Sequence, residues 1–198
     1  MIEARPSATA WRVALRRAAH QLADVPRVFD DPIALQILGT EAVAKIKDSL
    51  HDLRDQISKP LRAFFAVRSR YAEDQLKLAV DRGVTQYVIL GAGLDTFAYR
   101  NIYPPSTLHI FEVDHPATQA WKKDLIAAAG ISIPTTVTFA PVDFEKGGLS
   151  DALFSCGFSL NRMTFFSWLG VVPYPQRRSD DEHFPICSGD APRQWGGL

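Results

Sequence analysis

Residues 84–90 (VTQYVIL) end abruptly at Gly91-Ala92-Gly93. A short β-branched and aromatic run closed by a Gly-x-Gly turn reads as a buried strand and a tight turn. Neither glycine has a Cβ, so the backbone there can pass close to a ligand. The segments that follow alternate. Residues 107–114 (TLHIFEVD) read as a second strand and 117–129 as a helix closed by Gly130. Residues 135–144 (TTVTFAPVDF) read as a third strand with Pro141 at its end, 149–157 as a weak helix, and 165–172 (FFSWLGVV) as a fourth strand. This order predicts a parallel α/β sheet. The 94–102 connection is short and poorly helical.

The chain before residue 84 reads as helical. In residues 8–23, Trp11, Ala14/Leu15, Ala18/Ala19 and Leu22 recur at helical spacing. Asp30-Asp31-Pro32 is a helix start, an aspartate cap followed by Pro at the first helical position. Gly39 interrupts the helical pattern of 33–50, which predicts two helices there. Residues 60–82 form the clearest helix, with Pro60 in its first turn and Gly83 as a left-handed cap. Its apolar stripe is read as Leu61, Phe64/Phe65, Tyr71/Ala72, Leu76 and Ala79/Val80. Arg68 falls on that stripe where an apolar residue is expected.

Composition narrows the classes. Of 198 residues, 46% are hydrophobic and 22% charged, and 22 basic residues balance 22 acidic ones. Those are globular proportions without a basic excess, so nucleic acid is not an expected partner. Cys156 and Cys187 are too few for a disulfide framework and lack zinc-ligand spacing. The five histidines do not cluster at ligand spacing, so no metal site is expected. The first residues lack a signal-peptide apolar stretch and no run approaches a membrane span. A cytoplasmic protein is the expectation.

The chemistry concentrates after the first strand. Asp114 lies 23 residues beyond Gly91, at the end of the second strand. A nucleotide-type site asks for an acid near that place, where a carboxylate accepts from ribose hydroxyls. The plainer alternative is an Asp capping the helix at 117–129. The third glycine of G-x-G-x-x-G would fall at Thr96, so dinucleotide packing is not encoded. No G-x-x-x-x-G-K-[ST] is present. An acid without a pyrophosphate turn suits S-adenosyl-L-methionine (SAM), which has an adenosine and a charged amino-acid arm. Asp143 is placed to accept from an adenine amino group with Phe144 beside the ring, or is simply a surface Asp starting a loop. Arg68 could reach the carboxylate of the methionine arm, or could snorkel or pair with Glu73 or Asp74.

FFAVRSRYAEDQL, QYVILGAGLDTFAYR, FEVDHP, PVDFE and FFSWLGVVPY occur in this order. Together they resemble the leucine carboxyl methyltransferase-like proteins, and more closely the SAM-dependent methyltransferases of mycobacteria and related actinobacteria. The resemblance runs from about Ala10 to Tyr174. It implies a Rossmann-like class I fold with a helical N-terminal extension. It also implies SAM contacts at Arg68, Gly91, Gly93, Asp114, Asp143 and Phe144, with Arg70 as the alternative to Arg68. The implied activity is methyl transfer to a small-molecule, carboxyl or hydroxyl acceptor. The protein would hold acceptor and methyl in line with water excluded. No catalytic residue is named. Tyr174 reads as structural, and Ser167 lacks a nucleophile elbow. A SAM-binding remnant without turnover and a NAD-type oxidoreductase are the rival readings.

Two departures stand out. The carboxyl methyltransferases have a Glu in the segment matching SWLGVVPY, where this chain has Trp168-Leu169-Gly170. That difference weighs against one cofactor contact and against a protein carboxyl as acceptor. Beyond Tyr174 the family continues with helices and further strands, whereas residues 175–198 have three Pro, three Gly and no helix or strand period. They read as a disordered tail resembling translation in a shifted frame. The expected organisation is therefore a helical extension over 1–59, a partial Rossmann-like domain over 60–174, and the tail. The sheet would end at its fourth strand with an apolar edge open to self-association, and little methyl transfer is expected.

Overall fold

The computed structural model describes residues 7–49 and 59–169. The expectations for the tail, for Tyr174 and for the end of the fourth strand lie outside the described residues. The described chain forms helices α1 (Ala8–Ala23), α2 (Pro32–Ser49), α3 (Lys59–Asp81), α4 (Pro116–Ala128) and α5 (Leu149–Ser155). The strands are β1 (Gln86–Leu90), β2 (His109–Asp114), β3 (Val137–Pro141) and β4 (Thr164–Trp168). The chain divides into two compact units. One takes its described residues from 1–74, 93–101 and 120–133, and the other from 75–92, 102–119 and 134–198.

The helix ends follow local chemistry. Ser7 caps α1 by accepting from the Ala10 amide at 3.2 Å. Asp31 caps α2 by accepting from the Ala34 amide at 3.1 Å, with Pro32 at the first helical position. Gly39 has φ 78° and ψ 166°, which breaks α2 into two helical pieces as its sequence predicts. After α3, Gly83 has φ 96°; its amide reaches the Val80 carbonyl and the Val84 amide reaches that of Ala79. These two bonds make a Schellman cap. In the first unit, α1 and α2 pack through Ala14, Ala18, Ala19, Ile37, Leu38 and Ile46, joined by Leu94 and Ile126.

The sheet lies in the second unit. All four strands are parallel, in the order β3-β2-β1-β4. This is the α/β, Rossmann-like arrangement expected from the sequence. Alternate residues build one face: Val88 and Leu90 on β1, Phe111 and Val113 on β2, Ala140 on β3, and Phe166 and Trp168 on β4. Leu149 and Leu153 of α5, with Phe158, pack on that face. β1 is buried along its whole length, as expected of a central parallel strand. Among the described residues, no helix is long and apolar enough to cross a membrane.

One expectation about α3 is corrected. Leu61, Phe64 and Tyr71 are exposed, whereas Ala66, Ser69, Ala72 and Leu76 are buried. Apolar residues occupy both sides of this helix, so composition alone does not fix the inner face. The buried face follows the small residues, which let a helix approach its neighbours closely.

Candidate cofactor-binding site

Parallel pairing brings the carboxyl ends of three strands into line. Leu90 pairs with Val113, Val113 with Ala140 and Asp114 with Pro141. The ladder continues past the strand ends, from the Ala92 amide to the Val113 carbonyl and from the Val142 amide to the Asp114 carbonyl, both at 2.9 Å. Gly91, Asp114 and the Asp143-Phe144 pair therefore emerge from neighbouring strands at one end of the sheet. β1 has β2 on one side and β4 on the other, so the strand order reverses at β1. Open α/β sheets bind ligands at the carboxyl ends beside such a reversal.

The turn after β1 is shaped by its glycines. Gly91 has φ 65° and Gly93 has φ 48°, both in the left-handed region that disfavours a side chain. No α-helix follows. Between Leu94 and Ile102 the chain makes only the 3₁₀ turn Phe97–Tyr99. A pyrophosphate is ordinarily held at the helix N-terminus opening here, and that element is missing from this connection. Thr96 takes the third-glycine position for a structural reason. It is fully buried and its hydroxyl donates to Asp31 Oδ1 at 2.6 Å.

Asp114 is half-buried, and its Oδ1 accepts the His115 amide at 2.7 Å. In the first turn of α4, His115 Nδ1 accepts from the Ala117 amide at 3.2 Å. Asp143 makes a turn of its own. Its Oδ1 accepts the Glu145 amide at 3.1 Å and its Oδ2 lies 2.9 Å from Lys146 Nζ. The Lys146 hydrogen bond is the main cause holding its carboxyl below the ordinary range. The loop-starting role weighed in the sequence is thus present. Phe144 is partly buried against the sheet core.

In the first unit, Arg68 stands apart from its neighbours. Asp74 is engaged by exposed Arg70 at 2.9 Å, and Glu73 by Arg100 in a two-pronged pair. Neither acid that could have neutralised Arg68 does so. The Arg68 guanidinium lies 4.7 Å from the Phe65 ring centre, and its Nε is buried with no hydrogen-bond partner among the described residues. Burial pushes its pKa down to about 10; Arg17 adds to the shift and Asp95 opposes it. A half-buried cation with an unpaired donor gains from an anion that supplies the missing partner.

Other charges in this unit were not singled out by the sequence reading. Arg17 of α1 donates to the Leu94 carbonyl at 2.5 Å and to Asp95 Oδ2 at 3.4 Å, and its Nε lies 3.5 Å from Asp31. Asp95 Oδ1 also accepts the Phe97 amide at 2.8 Å. Burial raises the Asp95 pKa, but Arg17, Lys122 and Arg100 outweigh it and hold the carboxyl below its ordinary value. The available signal is the one that marked Arg68: an arginine at a core position of a helix. Arg17 lies three residues after buried Ala14 and four before buried Gln21.

The family model for leucine carboxyl methyltransferase matches residues 10–184. The chain belongs to the leucine carboxyl methyltransferase family. The match extends ten residues past Tyr174, beyond where the sequence resemblance ends. YktD of Bacillus subtilis, named as a SAM-dependent methyltransferase, is 36% identical over 194 residues, covering 88% of this chain and 64% of that relative. A Mycobacterium avium relative with the same designation is 33% identical, covering 89% and 59%. One from Mycobacterium tuberculosis is 32% identical, covering 91% and 60%. The chain spans about three fifths of the length of these relatives.

Proposed function

We propose that this chain binds SAM and serves methyl transfer from its sulfonium to an oxygen or other heteroatom of an acceptor. The carrying observation is Arg68, a half-buried side chain whose buried Nε has no hydrogen-bond partner among the described residues and whose neighbours Glu73 and Asp74 are committed elsewhere. SAM brings a carboxylate of the kind this side chain lacks, and this family's relatives are named for that cofactor. Its bound methyl sulfonium supplies the electrophilic carbon, so the protein need not provide a nucleophile. Arg68 would hold the carboxylate of the methionine arm. Gly91 and Gly93 would let the backbone run close beneath the cofactor. Asp114 would accept from the ribose hydroxyls, and Asp143 from the adenine amino group with Phe144 beside the ring. The remaining work is to orient the acceptor and exclude water. The NAD reading is weaker because no helix follows the glycine turn to receive a pyrophosphate.

Arg68→Met tests the assignment against Arg70→Met. Losing a charge-assisted pair costs roughly 1.5–3 kcal/mol, about ten- to a hundredfold in SAM affinity. Arg70 is exposed and already paired, so its replacement should change affinity by no more than about twofold. Equal losses in the two variants would remove Arg68 from the site.

A further inference from the structure

Arg68 of α3 meets two aromatic rings. Its guanidinium carbon lies 4.7 Å from the centre of the Phe65 ring and 5.7 Å from that of Phe64. Both distances fall within the range over which an aromatic face attracts a cation. The two rings meet edge to face, with centres 5.3 Å apart and planes at 75°, so they form a corner. Helix geometry builds this contact locally. Long helical side chains lean toward the N-terminus, and residues three and four apart share a face. Arg68 is therefore directed back onto Phe65 and Phe64. A second helix also reaches the nearer ring, since the Arg16 guanidinium of α1 lies 5.5 Å from the Phe65 centre. Phe64 is exposed and Phe65 half-buried, so neither is a core residue.

A ring and an acid hold an arginine differently. A carboxylate takes up N–H donors, whereas an aromatic face attracts the cation and leaves the donors at its edge available. The Arg68 Nε, without a hydrogen-bond partner among the described residues, matches the second case. An arginine also has several rotatable bonds, and a ligand that must order such a side chain loses affinity in doing so. We propose that Phe65 is a positioning residue for Arg68: its ring holds the guanidinium in place before a ligand arrives and leaves its donors for the carboxylate of a ligand's amino-acid arm. This rests on the SAM reading and adds to it the residue that pre-organises the anion contact. Without the ring, Arg68 moves among rotamers and the ligand carboxylate has to order it.

The test uses two probes that share the adenosine but differ in the arm. S-adenosylhomocysteine carries the carboxylate, and 5′-methylthioadenosine lacks it. Each is titrated calorimetrically into the full chain and its variants. Phe65→Leu keeps an apolar side chain and removes the aromatic face. It should weaken S-adenosylhomocysteine about three- to tenfold, the scale of ordering one long side chain on binding, while methylthioadenosine stays within about twofold. Phe65→Tyr keeps the face and should hold S-adenosylhomocysteine within about twofold of the native chain. In an Arg68→Met background, Phe65→Leu should change affinity by less than about twofold, because the ring acts through Arg68. Phe65→Met, also without an aromatic face, makes the same comparisons if the leucine variant does not fold. Unchanged affinity in Phe65→Leu, equal loss of both probes, an equal loss in Phe65→Tyr, or an undiminished loss in the Arg68→Met background each overturn the proposal and leave the SAM reading standing. Failure of the native chain to bind S-adenosylhomocysteine overturns the SAM reading instead, and this proposal with it.

Discussion

At the scale of single residues, the candidate site depends on which charges are already spoken for. Arg70 and Arg68 lie two positions apart on α3, and both suit a carboxylate on paper. Geometry separates them, because Arg70 spends its charge on Asp74 at the surface while Arg68 is half-buried beside an aromatic ring with its Nε unpaired among the described residues. Asp114 stands at the end of β2, where its Oδ1 accepts the His115 amide, and His115 Nδ1 in turn accepts the Ala117 amide in the first turn of α4. Asp114→Ala should weaken SAM binding by about 1.5–3 kcal/mol for each ribose hydrogen bond lost. Asp114→Asn keeps the shape and one acceptor oxygen, so it should cost less. A calorimetric titration checks both, and unchanged affinity in Asp114→Ala would exclude Asp114 from the site. Arg68 and Asp114 are legible in the sequence because each breaks or ends a local pattern. Arg17 has the same signature but is hidden in a helix with three other arginines or histidines nearby, where a charged face is the simpler reading.

At the scale of elements, strands and caps read well from sequence and helix faces less well. β1 and β2 are short, largely apolar and β-branched or aromatic runs that end at glycine or aspartate, and each is buried along its centre, as central parallel strands are. Asp31-Pro32 and Gly83 announce a helix start and a helix end through local hydrogen bonding alone. The face of α3 cannot be read this way, because Phe64 and Tyr71 are as apolar as the residues that are buried. Only packing chooses between them. The glycine turn is the element on which the site rests. With φ 48° at Gly93, a β-branched residue would be forced into the left-handed region at roughly 1–3 kcal/mol of strain. Gly93→Val should therefore lose SAM binding while its far-ultraviolet circular dichroism stays near that of the native chain. Normal binding by a folded Gly93→Val protein would contradict the role given to this turn.

At the scale of the whole molecule, the chain is organised by contact rather than by sequence order. The loop 93–101 and residues 120–133 of the second half cluster with α1, α2 and the first part of α3. Sequence reading cannot see this, because those contacts join residues some 77 positions apart, such as Arg17 and Leu94. What it does see is the parallel α/β class of the sheet, since a Gly-x-Gly turn, an acid at the end of β2 and alternating strands and helices are mutually consistent. The central claim is that this family member uses its glycine turn for SAM rather than for a dinucleotide. Calorimetric titration of the native chain with S-adenosylhomocysteine and, separately, with NAD tests it most directly. The account predicts saturable one-to-one binding of S-adenosylhomocysteine and no measurable heat of binding for NAD. Saturable NAD binding, or no binding of S-adenosylhomocysteine by the folded chain, would contradict it.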